Sequence, residues 1–127
     1  MTDDRVAPME GRDGGDHVEA LHAAQSSPSK RIRTNVAEAV ASVKTLEARH
    51  IKLIVAAMQD PEWEVRLAGA AALHGRKEAA VEAAIPALAK ALSDGHLAVA
   101  GQSRTLLQAM ESKAARSALK KAQRKKK

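Results

Sequence analysis

Between Ile51 and Leu73 the chain reads IKLIVAAMQDPEWEVRLAGAAAL, an apolar stripe interrupted by an Asp-Pro pair. Ile51, Ile54, Val55 and Met58 fall at i, i+3, i+4 and i+7, the spacing of one helix face. Past Asp60-Pro61 the same period resumes in Val65, Gly69, Ala72 and Leu73. The pattern predicts two helices joined by a tight turn. Asp60 suits the N-cap of the second helix, and Pro61 its first position, where a missing N–H would be unpaired anyway. Glu62 and Glu64 suit the positive end of the helix dipole. Gly69 and its neighbouring alanines permit a close helix approach, and Gly75 marks the stop.

The unit recurs. Thirty-four residues on, Ile85 to Leu107 reads IPALAKALSDGHLAVAGQSRTLL, placing Ile85 on Ile51, Asp94 on Asp60, Val99 on Val65 and Leu107 on Leu73. Thirty-three residues back, Val18 to Val40 reads VEALHAAQSSPSKRIRTNVAEAV, placing Pro28 on Pro61 and Ile32-Arg33 on Val65-Arg66. Pro86 sits in the first turn of the last pair's opening helix, and Ala114 to Ala122 has the pattern of one more opening helix, able to cap the open end. A helix pair of this kind cannot bury its stripe alone, so neighbours must stack. The fold class expected is all-α, a right-handed α-solenoid of about three helix pairs over residues 17–112. A disordered acidic leader, 1–16, precedes it, and a basic tail, 113–127, follows and begins as a capping helix.

Composition refines this picture. Of the hydrophobic residues, 28 are Ala against 24 Leu, Ile and Val, with no Phe or Tyr and one Trp. The implied core is thin and helical rather than absent, because Ala is the strongest helix former. No Cys is present, which excludes disulfides and thiolate chemistry. No apolar run approaches a membrane span and the N-terminus lacks a signal pattern, so a cytoplasmic location is expected. Charge is uneven: the leader carries five acids against two cations, whereas 113–127 carries eight cations and no acid.

The repeated motif, an apolar helix, then Asp-Pro, three residues, Val-Arg and an Ala-rich helix, resembles the HEAT repeat family, particularly its short, phycobilisome-lyase-like form. It stands here as Asp60-Pro61…Val65-Arg66, Ser27-Pro28…Ile32-Arg33 and Asp94-Gly95…Val99-Ala100. The resemblance implies a scaffold or recognition surface, commonly for proteins and sometimes for nucleic acid. Some relatives are chromophore lyases or alkylpurine DNA glycosylases, but no residue constellation here carries over their chemistry. The function expected is therefore non-catalytic binding of a protein partner, with the basic tail as an electrostatic anchor. The alternative is a nucleic-acid-associated protein in which that tail dominates. Self-association is also expected, because exposed end repeats seek cover.

Candidate partner-binding residues are Lys30, Arg31, Arg33, Trp63 and Arg66. Arg33 and Arg66 occupy the family's Arg position. They either bond an Asp of a neighbouring turn, Asp60 or Asp94, or form a ligand-binding ridge with Lys30 and Arg31. Trp63 reads as partly buried packing or as a binding anchor. Candidate anion-binding residues are Lys113, Arg116, Lys120, Lys121, Arg124, Lys125, Lys126 and Lys127, expected to bind polyanions without sequence preference. The five histidines show no metal-ligand spacing, and no nucleophile or phosphate-loop motif occurs. No catalytic, metal or cofactor residue is assigned. Glu78 and Glu82, four apart, read as a solvated helix face.

Overall fold

The computed structural model describes residues 18–125, with side chains to Gln123. The acidic leader expected at 1–16, the side chains of Arg124 and Lys125, and Lys126 and Lys127 lie outside the described residues. Within them the chain is all helical: α1 Val18–Ala24, α2 Lys30–Ala41, α3 Ala48–Ala57, α4 Trp63–Ala71, a 3-10 helix Ala79–Ala84, α5 Ile85–Ala91, α6 Leu97–Ala109 and α7 Lys113–Lys125.

The expected stacking is present. The opening helices α1, α3 and α5 form one layer, with the 3-10 helix joining α3 to α5 and α7 closing the row. The second helices α2, α4 and α6 pack side by side as the other layer. Between the layers lie Val40, Leu46, Ile54, Leu73, Leu88 and Leu107, all essentially inaccessible to water. Each such side chain stabilises the fold by about 1.5–3 kcal/mol relative to exposure. The stripe deduced from spacing is this core: Ile51, Ile54, Met58, Val65, Gly69, Ala72 and Leu73 are all buried.

Gly69 shows why a small residue stands at the α3–α4 crossing. A methyl group there would lie 2.9 Å from the Ala57 Cβ and 3.1 Å from the Ile54 carbonyl oxygen. Gly75, at φ 73°, takes the left-handed conformation that turns the chain after α4.

The starts of the second helices differ from expectation. Glu62, not Asp60, is the N-cap of α4, and the helix begins at Trp63. Asp60 acts two residues earlier, where its Oδ1 accepts the Glu62 N–H at 2.9 Å and closes the turn. Asp94 does the same for the His96 N–H at 2.8 Å, and the Ser27 hydroxyl for the Ser29 N–H at 3.0 Å. Side-chain oxygens of short polar residues commonly hold a backbone N–H two residues on.

Glu78 is the second correction. It lies on no helix face shared with Glu82, because the segment between α4 and α5 is a turn followed by a 3-10 helix. Its carboxylate instead accepts the Leu46 N–H at 2.9 Å and pairs with Arg76 at 2.6 Å.

The capping helix expected over 114–122 is present and longer. α7 packs on both α5 and α6 and runs for 13 residues through what was expected to be tail. Ser112 opens it by accepting the Ala115 N–H at 3.0 Å, and Ala115 is wholly buried.

Candidate interaction surface

The turns at Ser27-Pro28, Asp60-Pro61 and Asp94-Gly95 line up along one edge of the solenoid, and two guanidinium groups bind them together. Arg33, from α2, reaches Asp60 in the next turn through Nε at 2.7 Å and Nη2 at 3.2 Å, while its Nη1 donates to the Ser27 carbonyl at 2.8 Å. Arg66, from α4, repeats the arrangement. It grips Asp94 at 2.7 and 2.9 Å and donates to the carbonyls of Asp60 and Pro61 at 3.0 and 3.1 Å. Each Arg thus ties its own turn to that of the following repeat. The planar five-donor fork of Arg suits this double task, which a Lys ammonium could not perform.

The electrostatics agree. Hydrogen bonding from Arg66 holds the Asp94 carboxyl below its ordinary value, against the opposing effect of burial, and the His96 N–H assists. Bonding to Asp94 and Asp60 in turn raises the already high values of Arg66 and Arg33. Of the two expectations for these arginines, the geometry realises the bond to a neighbouring turn.

Above the rungs lies a more exposed row. Lys30 of α2 reaches Glu64 of α4 at 3.0 Å. The Lys30 ammonium lowers the Glu64 carboxyl from its ordinary value, chiefly through that hydrogen bond. Arg31, next to it, is exposed. Trp63 stacks on His96, ring centroids 3.8 Å apart and planes within 8°. The His96 Nδ1 accepts the Ala98 N–H at 3.2 Å, which fixes that ring at the start of α6. Trp63 is 36% exposed, and Leu97, beside His96 in the chain, is 85% exposed. Lys30, Trp63 and Leu97 occupy equivalent positions in three successive repeats. The sequence-predicted residues Lys30, Arg31, Arg33, Trp63 and Arg66 are therefore gathered on one edge.

Sequence reasoning missed His96 and Leu97. Their only signal is register: advancing Glu62-Trp63 by 34 positions lands on His96-Leu97.

The opposite edge carries a separate latch. Arg76 pairs with Glu78 and donates to the carbonyls of Ala41 and Lys44 at 3.4 and 3.2 Å, joining the α2–α3 loop to the α4–α5 connection. Arg76, aided by the Leu46 N–H, holds the Glu78 carboxyl down at about 2. A cleft of about 400 Å³ opens beside this latch, floored by Leu73, Val81, Leu106 and Met110.

On α7 the cations Lys113, Arg116, Lys120 and Lys121 are all exposed. Among the described residues no group of three or more His, Asp or Glu side chains is placed to hold a metal ion.

The family model for HEAT repeats matches residues 18–105, which spans α1 through most of α6. No curated protein and no solved structure matches the chain. Stacked helix pairs at a spacing of 33–34 residues, joined by Asp–Arg rungs between successive turns, agree with that match. The chain belongs to the HEAT repeat family.

Proposed function

We propose that this chain is a non-catalytic protein-binding module that receives its partner along the turn edge. HEAT repeats generally mediate protein–protein interaction, and the family is typically non-catalytic. The observation that carries the assignment to this edge is Leu97, 85% exposed beside the stacked Trp63–His96 pair. An apolar side chain left in water next to an aromatic one matches the composition of interface anchors, in which Trp is enriched.

The roles divide as follows. Trp63 and Leu97 form the apolar contact, and Lys30 and Arg31 flank it with positive charge. Arg33 and Arg66 hold the edge in one shape, and their outer rims complete it. A rigid edge loses little conformational freedom on binding, which favours affinity at small contact area. The partner that fits is a protein segment with an apolar side chain and acidic neighbours. The setting proposed is the cytoplasm; no described helix is long and apolar enough to cross a membrane.

The test is photo-crosslinking in cells, with a photoreactive residue at Leu97 and, as control, at exposed Gln108 on α6. A discrete protein adduct from position 97 that weakens in the Trp63→Ala background supports the reading. An adduct with a second copy of the chain would make self-association the form of binding. Identical adducts from both positions, or none from either, would count against the turn edge.

A further inference from the structure

Charge along the solenoid is not spread evenly. From Val18 to Ala84 nine Lys and Arg residues face eight Asp and Glu residues. From Ile85 to Lys125 eight cations face two acids, Asp94 and Glu111, and Asp94 is already committed to Arg66. The third pair and α7 therefore form a positive end on a nearly neutral body.

α7 concentrates that charge. At 100° per residue Lys113, Arg116 and Lys120 fall within about 60° of one another around the helix, and Lys121 flanks them. Lys113 and Lys120 stand about 10 Å apart along the axis at 1.5 Å per residue. The opposite face holds Ala115, buried, and Ala118, Leu119 and Ala122, partly buried against the core. Elements packed against α7 add Lys90 from α5 and Arg104 from α6 and contribute no acid from within either helix. The cations are thus mounted on a docked helix, not carried on a free chain.

We propose that the exposed face of α7 binds duplex nucleic acid through its phosphate backbone, without regard to base sequence. This surface is separate from the turn edge, and either can fail without the other. The occupant follows from what the face lacks. Insertion into a lipid surface would need an apolar face, and that of α7 is spent against α5 and α6, which leaves only the weak headgroup attraction of about 1 kcal/mol per cation. Single strands are held by stacking on aromatic rings, and the one aromatic residue, Trp63, belongs to another edge. A protein partner would ask for an apolar centre, whereas the exposed residues of α7 are cations, Ala114, Ser117 and Gln123. A duplex presents a dense row of phosphates and needs only positioned cations.

The test is fluorescence-anisotropy titration of a labelled mixed-sequence DNA duplex with the full chain between 50 and 200 mM salt. If four α7 cations meet phosphates, affinity falls about a hundredfold across that range. The variant Arg116→Gln/Lys120→Gln/Lys121→Gln preserves helix propensity and is expected to lose about a hundredfold in affinity at 100 mM salt, with a flatter salt dependence. The control Lys44→Gln/Lys52→Gln/Lys77→Gln removes the same charge from exposed sites elsewhere and is expected to change affinity less than about threefold. Thermal melts accompany both; should the first variant melt early, the single change Lys120→Glu is read instead and is expected to weaken binding about tenfold. Absence of binding at 50 mM salt overturns the proposal. So does equal loss from both triple variants, or binding to phosphatidylserine vesicles or polyglutamate as tight as to the duplex.

Discussion

Arg66 of α4 clasps both carboxylate oxygens of Asp94 in the next repeat, at 2.7 and 2.9 Å, while its third nitrogen holds the turn carbonyls of its own repeat. Arg33 and Asp60 form the rung before it, at 2.7 and 3.2 Å. The departures from the repeat motif fall at the two ends. Ser27 stands where the later turns have Asp, and no described repeat precedes it to supply an Arg. Ala100 stands where the earlier repeats have Arg, and no Asp turn follows it among the described residues. A hydroxyl suffices to close the first turn because only its backbone duty remains.

Restoring the motif at the last position should therefore gain nothing. Ala100→Arg is expected to leave stability within about 0.5 kcal/mol, the range of ordinary surface changes. Thermal melts check this; a clear rise in melting temperature would mean that the new Arg had found a carboxylate the described residues do not offer.

Gly69 sets the distance between α3 and α4. Gly69→Ala is expected to cost about 1–3 kcal/mol through overpacking, despite the better helix propensity of Ala. The contact at 2.9 Å is Ala57 Cβ, so Ala57→Gly in the same chain should recover part of the loss. Denaturant titration of the two variants measures both effects.

The Glu78 latch makes stability depend on pH. Its carboxyl is held at about 2 against an ordinary 4.5, chiefly by Arg76 and then by the Leu46 N–H. A depressed folded value means that the latch contributes fully above about pH 4.5 and fades as pH falls toward 2. Glu78→Gln should melt below the natural chain at pH 7, and the gap should close between pH 4.5 and 2. A gap that stayed constant over that interval would exclude the ionisation of the Glu78 carboxyl as its cause.

Two leucines of α6 should behave oppositely. Leu107, fully buried, is expected to cost about 2–5 kcal/mol as Leu107→Ala. Leu97, 85% exposed, should tolerate Leu97→Ser within about 0.5 kcal/mol. The pair separates a side chain that the packing needs from one that it does not, and thermal denaturation of both variants reads it.

Much of this architecture was legible from spacing alone. The i, i+3, i+4, i+7 stripe from Ile51 to Met58 and its return at 33 and 34 residues located the core, because helix burial imposes that period. Gly69 and Pro86 were legible for local steric reasons, and the Arg–Asp bond came from the family position of Arg33 and Arg66. What was not legible depends on the third dimension or on close local competition. Asp60 and Glu62 both stand near the start of α4, and only geometry shows that Asp60 closes the turn while Glu62 occupies the N-cap position without a side-chain cap bond. Glu78 meets Leu46 across 32 residues, beyond any local pattern. Trp63 meets His96 only because the turns stack, and the same stacking leaves Leu97 uncovered. The capping helix over 114–122 was legible from its apolar pattern, but its continuation to Lys125 was not, because the closing run of cations carries no apolar period.

The claim on which the turn edge depends is that rungs between repeats make it one rigid unit. A double-mutant cycle on Arg66→Ala and Asp94→Asn, followed by denaturant unfolding, tests that most directly. Each single change is expected to cost about 1.5–3 kcal/mol, the range for charged hydrogen bonds. The double variant should cost markedly less than their sum, with coupling of at least about 1 kcal/mol. Strict additivity would show that Arg66 and Asp94 do not act on each other, and the account of the edge as a locked ridge would fall with it.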